Sequence, residues 1–179
     1  MSRQPLPEYL RPDRLAIEQR SLEGSIAASA MRRLGEAVSA VVDDAEAQLS
    51  FGIDTGRRKV VSGTAQAEVD LICQRCLGAV RLPLAVEFRL AVVGSEAEAE
   101  RLPEDYEPLI YDGRPLRTAE LIEEELILAL PIVAMHDEGD STCISVADVS
   151  ASSTEFEEDG GDNKPNPFDV LKQLKKRER

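Results

Sequence analysis

The chain has 179 residues, 42% of them hydrophobic, with no Trp and 4% aromatics; this supports one core built from Val, Leu, Ile and Ala and is too little for two. Lys and Arg total 21 against 34 Asp and Glu, a formal net charge of −13, which disfavours wide contact with a bare phosphate backbone and suits a basic protein partner. The opening MSRQPLPEYLRPDRL has no apolar run of the secretory kind, no window approaches the roughly 20 apolar residues of a membrane span, and an odd number of cysteines fits a secreted disulfide scaffold poorly, so a cytoplasmic protein is expected.

Residues 14–22, RLAIEQRSL, predict a first strand with Leu15 and Ile17 on one face. Ala27, Ala30, Met31, Leu34, Val38 and Val41 then recur at three- and four-residue steps, which predicts a helix with one apolar stripe. From Ala45 the period becomes two. Ala45, Ala47, Leu49, Phe51 and Ile53 alternate with polar residues and Gly52, and Asp54-Thr55-Gly56 supplies a turn. A second alternating run, Ala65 to Cys73, and a third, Val80 to Val92, follow. Pro83 lacks a backbone N–H, which predicts a sheet edge or a bulge there.

Residues 94–117 read as a long acidic connection, of a length that is often functional or mobile. A second helix is expected after it, with Thr118 as N-cap, acids at 120 and 123–125 near its positive end and Pro131 as its stop. The segment 150–165 is polar, acidic and Gly-containing, and reads as a disordered linker. In the basic tail 166–179, Asn166 and Pro167 can start a short helix that carries Phe168, Leu171 and Leu174 at three-residue steps, a candidate docking face. The plain alternative is a frayed end. The domain organisation is thus one α+β domain over 1–149, a linker and a tail.

Chemistry concentrates in the cysteines. Cys73 and Cys76 lie in a Cys-x-x-Cys at the expected tip of a β-hairpin, where a two-residue gap lets two thiolates address one tetrahedral ion. Gly78 can take the backbone angles that such a turn often needs. The one other cysteine, Cys143, and the one histidine, His136, fall within seven residues of each other after the second helix, completing a Cys₃His set suited to zinc. The plainer reading makes Cys73 a buried strand residue, Cys76 a turn residue and His136 an ordinary surface histidine. A redox dithiol is disfavoured, because such motifs usually open a helix in a βαβ unit and this one has strands on both sides. The acids at 96–107 and 123–125 read as solvated surface, and no Gly-rich phosphate loop or Ser-His-Asp arrangement is apparent.

Several landmarks together resemble the YceD family, the large ribosomal RNA subunit accumulation proteins. They are Cys73-Gln-Arg-Cys76 after a strand, Leu102-Pro-Glu-Asp-Tyr-Glu-Pro108, the stretch Leu121 to Val133 leading to His136-Asp137, Cys143, and Lys164-Pro-Asn-Pro-Phe-Asp-Val-Leu-Lys-Gln-Leu174. The resemblance implies a bacterial cytoplasmic protein, with plastid relatives, needed for synthesis, processing or stability of the large-subunit (23S) ribosomal RNA. It implies no catalytic residue.

The expected fold is an antiparallel sheet, curling towards an open barrel, covered by two helices. The expected function is non-enzymatic support of large ribosomal subunit assembly through contacts with a ribosomal protein or assembly factor. Direct RNA contact is the lesser component, through a patch of Arg57, Arg58 and Lys59 with Arg75 and Arg81. The alternatives are an enzyme acting on ribosomal RNA and a zinc or redox Cys-x-x-Cys protein.

Overall fold

The computed structural model of the protein describes residues 4–137, 139, 140 and 143. The expected linker 150–165 and the tail with Phe168, Leu171 and Leu174 lie outside them. In chain order the elements are β1 (Tyr9–Leu10), α1 (Pro12–Ile17), β2 (Ser21–Ile26), a 3₁₀ turn (Ala28–Ala30), α2 (Arg32–Ala37), β3 (Ala40–Val41), β4 (Ala45–Ile53), β5 (Lys59–Ile72), β6 (Ala79–Val93), α3 (Glu96–Ala99), β7 (Glu107–Ile110), β8 (Leu116–Arg117) and α4 (Thr118–Leu128).

The fold is α+β, as expected. Its main sheet runs β2-β4-β5-β6-β7, with β3 also pairing β5; all pairs are antiparallel except β6 with β7. Among the described residues the sheet does not close into a barrel: β2 and β7 are its edges, and β2 gains a bridge from Pro5 to Ser25. The alternation in sequence sets the pleat. Ala45, Ala47, Leu49 and Phe51 of β4, Val61, Ala65, Ala67 and Val69 of β5, and Leu84, Phe88 and Leu90 of β6 all turn to one buried face. Pro83 sits opposite Glu68 in an unbroken register, and β6 has a second strand neighbour only at Leu90–Val93. It is therefore on an open edge, and no bulge is needed.

Gly63 occupies an inward position of β5, opposite Leu49 on one side and Phe88 on the other. A Cβ there would lie 2.6 Å from Phe88 Cζ and 2.8 Å from the Gln48 carbonyl oxygen. The missing side chain makes the space that the Phe88 ring fills.

Two helices close the inner face. Ala16 of α1 and Leu121, Ile122 and Leu126 of α4 are buried in the same cluster as the strand residues. Each of the three α4 side chains contributes on the order of 1.5–3 kcal/mol of burial. α2 packs on α4, placing Met31 and Leu34 in the core.

Three local expectations are corrected. Residues 14–22 do not form one strand: α1 ends at Ile17, Gln19 adopts φ 51 and β2 starts at Ser21. Pro12 at the first helical turn followed by Asp13 favours the helix, and Pro12 and Ala16, rather than Ile17, are its buried residues. The apolar stripe 27–41 divides into the 3₁₀ turn, a six-residue α2 and β3, because Val38 is extended and Val41 pairs with Val69 of β5. The connection 94–117 holds α3, β7 and β8, and Thr118 is the first residue of α4 rather than its cap. The Thr118 hydroxyl instead donates to the Pro7 carbonyl, and its backbone N–H to that of Glu8, which ties the helix start to the N-terminal strand.

Candidate metal centre

The β5–β6 register carries the hairpin to Ile72 opposite Ala79. The residues between them form the tip. Cys73 N–H donates to the Gly78 carbonyl at 2.8 Å and Leu77 N–H to the Cys73 carbonyl at 2.9 Å. Leu77, not Gly78, takes the left-handed conformation, with φ 60. Gly78 contributes differently, through its N–H, 3.4 Å from Cys76 Sγ.

The segment after α4 returns to this tip. Gln74 N–H donates to the Ala134 carbonyl at 2.8 Å, and Cys73, Val80 and Ala134 form a small buried cluster of their own, with Cys76 and Cys143 packed against it. Cys73 Sγ lies 3.7 Å from Cys143 Sγ, and Cys76 Sγ lies 3.5 Å from His136 Nδ1. All four ligand atoms fall within 4.8 Å of one another. The three cysteines are free thiols. The sequence-predicted set Cys73, Cys76, His136 and Cys143 is thus brought together across about 60–70 residues of chain, in an arrangement that could hold one metal ion.

Its surroundings fit that use. His136 Nε2 is 2.9 Å from the Ala79 carbonyl. A carbonyl only accepts, so Nε2 carries the proton and Nδ1 presents its lone pair to the cluster. Arg75, inside the Cys-x-x-Cys, donates from Nε to Cys143 Sγ at 3.0 Å and from its terminal nitrogen to the His136 carbonyl at 3.1 Å. Burial pushes the Cys73 thiol up, but backbone N–H groups of Cys76, His136 and Arg75 together with the His136 side chain outweigh it and bring the thiol down to about 5. Thiolate, the ligating form, is therefore favoured.

The basic patch expected for RNA is not assembled. Arg57, Arg58 and Lys59 lie at the far end of β5 from Arg75, separated by about 40 Å of strand at roughly 3.3 Å per residue. Arg58 is taken by Asp54, which accepts from its Nε at 2.7 Å, and it stacks on the Tyr106 ring 5.0 Å from the centroid. Arg81 pairs with Asp70 at 2.8 Å. Tyr106 also donates to Asp54 at 2.9 Å and stacks under Arg89, so it fastens the acidic connection to the β4–β5 turn.

Reading the acids at 123–125 as solvated surface is also corrected. Glu124 is exposed, but Glu123 and Glu125 are 3% and 6% exposed. Glu123 Oε2 accepts from the backbone N–H groups of Arg33 at 3.0 Å and Leu34 at 3.4 Å, joining α4 to α2. Glu125 faces a cavity of about 730 Å³ between α2, β7, β8 and α4. An acid in a helix gives no sequence signal for this, because its surroundings come from residues far away in the chain.

The family model described as "Large ribosomal RNA subunit accumulation protein YceD" matches residues 61–175. The chain belongs to the YceD family. A Haemophilus influenzae protein named "Large ribosomal RNA subunit accumulation protein YceD" is 36% identical over 182 residues, covering 99% of this chain and 100% of that protein. No solved structure matches. The stretch matched by the YceD model contains Cys73, Cys76, His136 and Cys143, as well as Tyr106 and Glu125.

Proposed function

We propose that this protein supports the accumulation of 23S ribosomal RNA during large ribosomal subunit assembly, in the cytoplasm, as a non-enzymatic factor acting through protein contacts. The observation that carries this is the 36% identity, spread over 99% of the chain, to a protein bearing that description. The route through protein is supported by charge: the chain is −13 overall, and of the cations near the β5 ends Arg58, Arg81 and Arg75 are engaged by Asp54, Asp70 and Cys143. No described helix is long and apolar enough to cross a membrane. In this reading the terminal residues Phe168, Leu171 and Leu174 help dock the protein on a ribosomal protein or another assembly factor.

The metal is zinc, held by Cys73, Cys76, His136 and Cys143. A tetrahedron with Zn–S bonds of about 2.3 Å and a Zn–N bond of about 2.0–2.1 Å has S···S edges of about 3.8 Å and S···N edges of about 3.6 Å. Two of the six edges, Cys73 to Cys143 at 3.7 Å and Cys76 to His136 at 3.5 Å, lie close to these, and all six are within 4.8 Å. Four protein ligands leave no open position, so the ion has a structural role and generates no nucleophile. Three thiolates and one Zn²⁺ leave a single negative charge, which Arg75 offsets. The ion then holds the hairpin tip and the segment after α4 as one rigid surface.

The test is affinity purification from cells under native conditions, with sucrose-gradient position and metal content read on the same sample. Co-migration with incomplete large subunits is expected. Sedimentation apart from them, or specific cleavage of precursor ribosomal RNA by the purified protein with magnesium, would overturn the proposal.

A further inference from the structure

The cavity between α2, β7, β8 and α4 holds a carboxylate that the fold does not use. Five acids and three arginines line it. Two of the pairs close on themselves: Arg33 with Glu124, and Arg117 with Glu120 at 3.6 Å. Glu123 is taken by the backbone of α2. Among the described residues the Glu125 carboxylate has neither a hydrogen bond nor an ion pair, although the residue is 6% exposed and faces the cavity. Glu107, at the exposed rim on β7, is likewise without an ion pair. Burial pushes the Glu125 carboxyl up to about 7, with Glu107 and then Glu124 adding to it. Buried carboxylates are normally paired or hydrogen-bonded, because stripping one of water is costly.

The remaining walls are apolar: Leu90, Leu109, Leu121 and Leu128 contribute, with Pro108 at the β7 side. An aliphatic stem ending in a cation matches such a space, with its methylenes on the leucines and its charge at the acids. A guanidinium suits it better than an ammonium, because its planar fork of five donors can serve Glu125 and Glu107 together and it is more weakly hydrated. The space is larger than one side chain needs and falls in the range of about 300–1,000 Å³ typical of ligand sites. Arg32, the one lining cation without an ion pair among the described residues, is exposed on α2.

We propose that this cavity is the docking site for an arginine-bearing segment of a basic protein, with Glu125 as the buried anchor and Glu107 as the rim contact. This deepens the protein-contact reading above by naming the chemistry of the partner, and it rests on that reading for its biological setting.

The test uses the full chain and a fluorescein-labelled peptide of alternating arginine and leucine, followed by fluorescence anisotropy. The comparison peptide has the uncharged isostere citrulline in place of each arginine. Glu125→Gln should weaken binding of the arginine peptide about tenfold or more, as expected when a buried charge loses its partner. Glu100→Gln, which removes an equal charge from an exposed position outside the cavity, should leave it within about twofold. The citrulline peptide should bind wild type and Glu125→Gln equally weakly. Equal affinity of wild type and Glu125→Gln for the arginine peptide, or equal loss in both variants, would overturn the proposal. Failure here with co-migration on gradients intact removes the docking site alone; binding here without co-migration removes the assembly role alone.

Discussion

The Glu125 carboxyl gives a stability prediction whose sign follows from proton linkage. In the folded chain it titrates at about 7 against 4.5 for an ordinary Glu. Between these values the folded state holds more proton than the unfolded chain, so stability from this group is complete below about pH 4.5 and is lost as pH rises through 7. At about 1.4 kcal/mol per pH unit the upper bound is about 3 kcal/mol. The cavity is open to water on one side, and screening there reduces the figure to about 1–2 kcal/mol. Glu125→Gln removes the titration while keeping the shape. Its stability relative to wild type should therefore improve by about 1–2 kcal/mol between pH 4.5 and pH 8, or about 3–6 °C in Tm for a chain of this size. Paired urea or thermal unfolding of the two proteins across that range, with zinc saturating in both, reads the difference. A wild-type-minus-variant difference that is flat with pH would refute the claim that the carboxyl is buried without a partner.

Other substitutions probe the frame around the sites. Gly63→Ala should lower stability by about 1–3 kcal/mol, because its methyl group would meet Phe88, the Gln48 carbonyl and Leu49 at 2.6, 2.8 and 2.9 Å; unchanged chemical denaturation would show that the strands yield there. For Asp54, burial raises the carboxyl, but the backbone and side-chain N–H groups of Arg58 and the Tyr106 hydroxyl outweigh it and hold it at about 2. The advantage of wild type over Asp54→Asn should thus be constant above about pH 4 and fade as pH falls towards 2, measured by thermal melts in acid. Chelation should lower the wild-type Tm by about 5–10 °C, given a linkage of about 2.7 kcal/mol at a hundredfold excess of metal over Kd. Cys76→Ser, already without its full ligand set, should respond much less to the chelator.

The parts of the fold legible in the sequence were those with a local cause. Alternation along Ala45–Ile53, Ala65–Cys73 and Val80–Val92 marks three neighbouring strands, since a period of two needs only one buried face. The tight Cys-x-x-Cys marks the hairpin tip, and scarcity of Cys and His elsewhere pointed to Cys143 and His136. The short elements were less legible. Leu15 and Ile17 are two residues apart, a spacing that a six-residue helix tolerates as well as a strand, and the deciding signals were Pro12 and Asp13. Val41 follows the helical spacing of the stripe yet is claimed by Val69 across the sheet, a tertiary contact that no local pattern encodes. Leu77 adopts the left-handed angle at the tip although Gly78 is adjacent. The burial of Glu123 and Glu125 arises where α4 meets α2 and β7, and the role of Tyr106 arises from Asp54 on a distant turn. Both depend on packing over long sequence separations.

The most direct test of the account is zinc-edge X-ray absorption on the purified full chain, with elemental analysis of the same sample. One zinc per chain is expected, bound by about three sulfurs at about 2.3 Å and one nitrogen at about 2.0–2.1 Å. A well-folded protein that takes up no metal at saturating zinc, or one whose zinc has a sulfur-free shell, would contradict it.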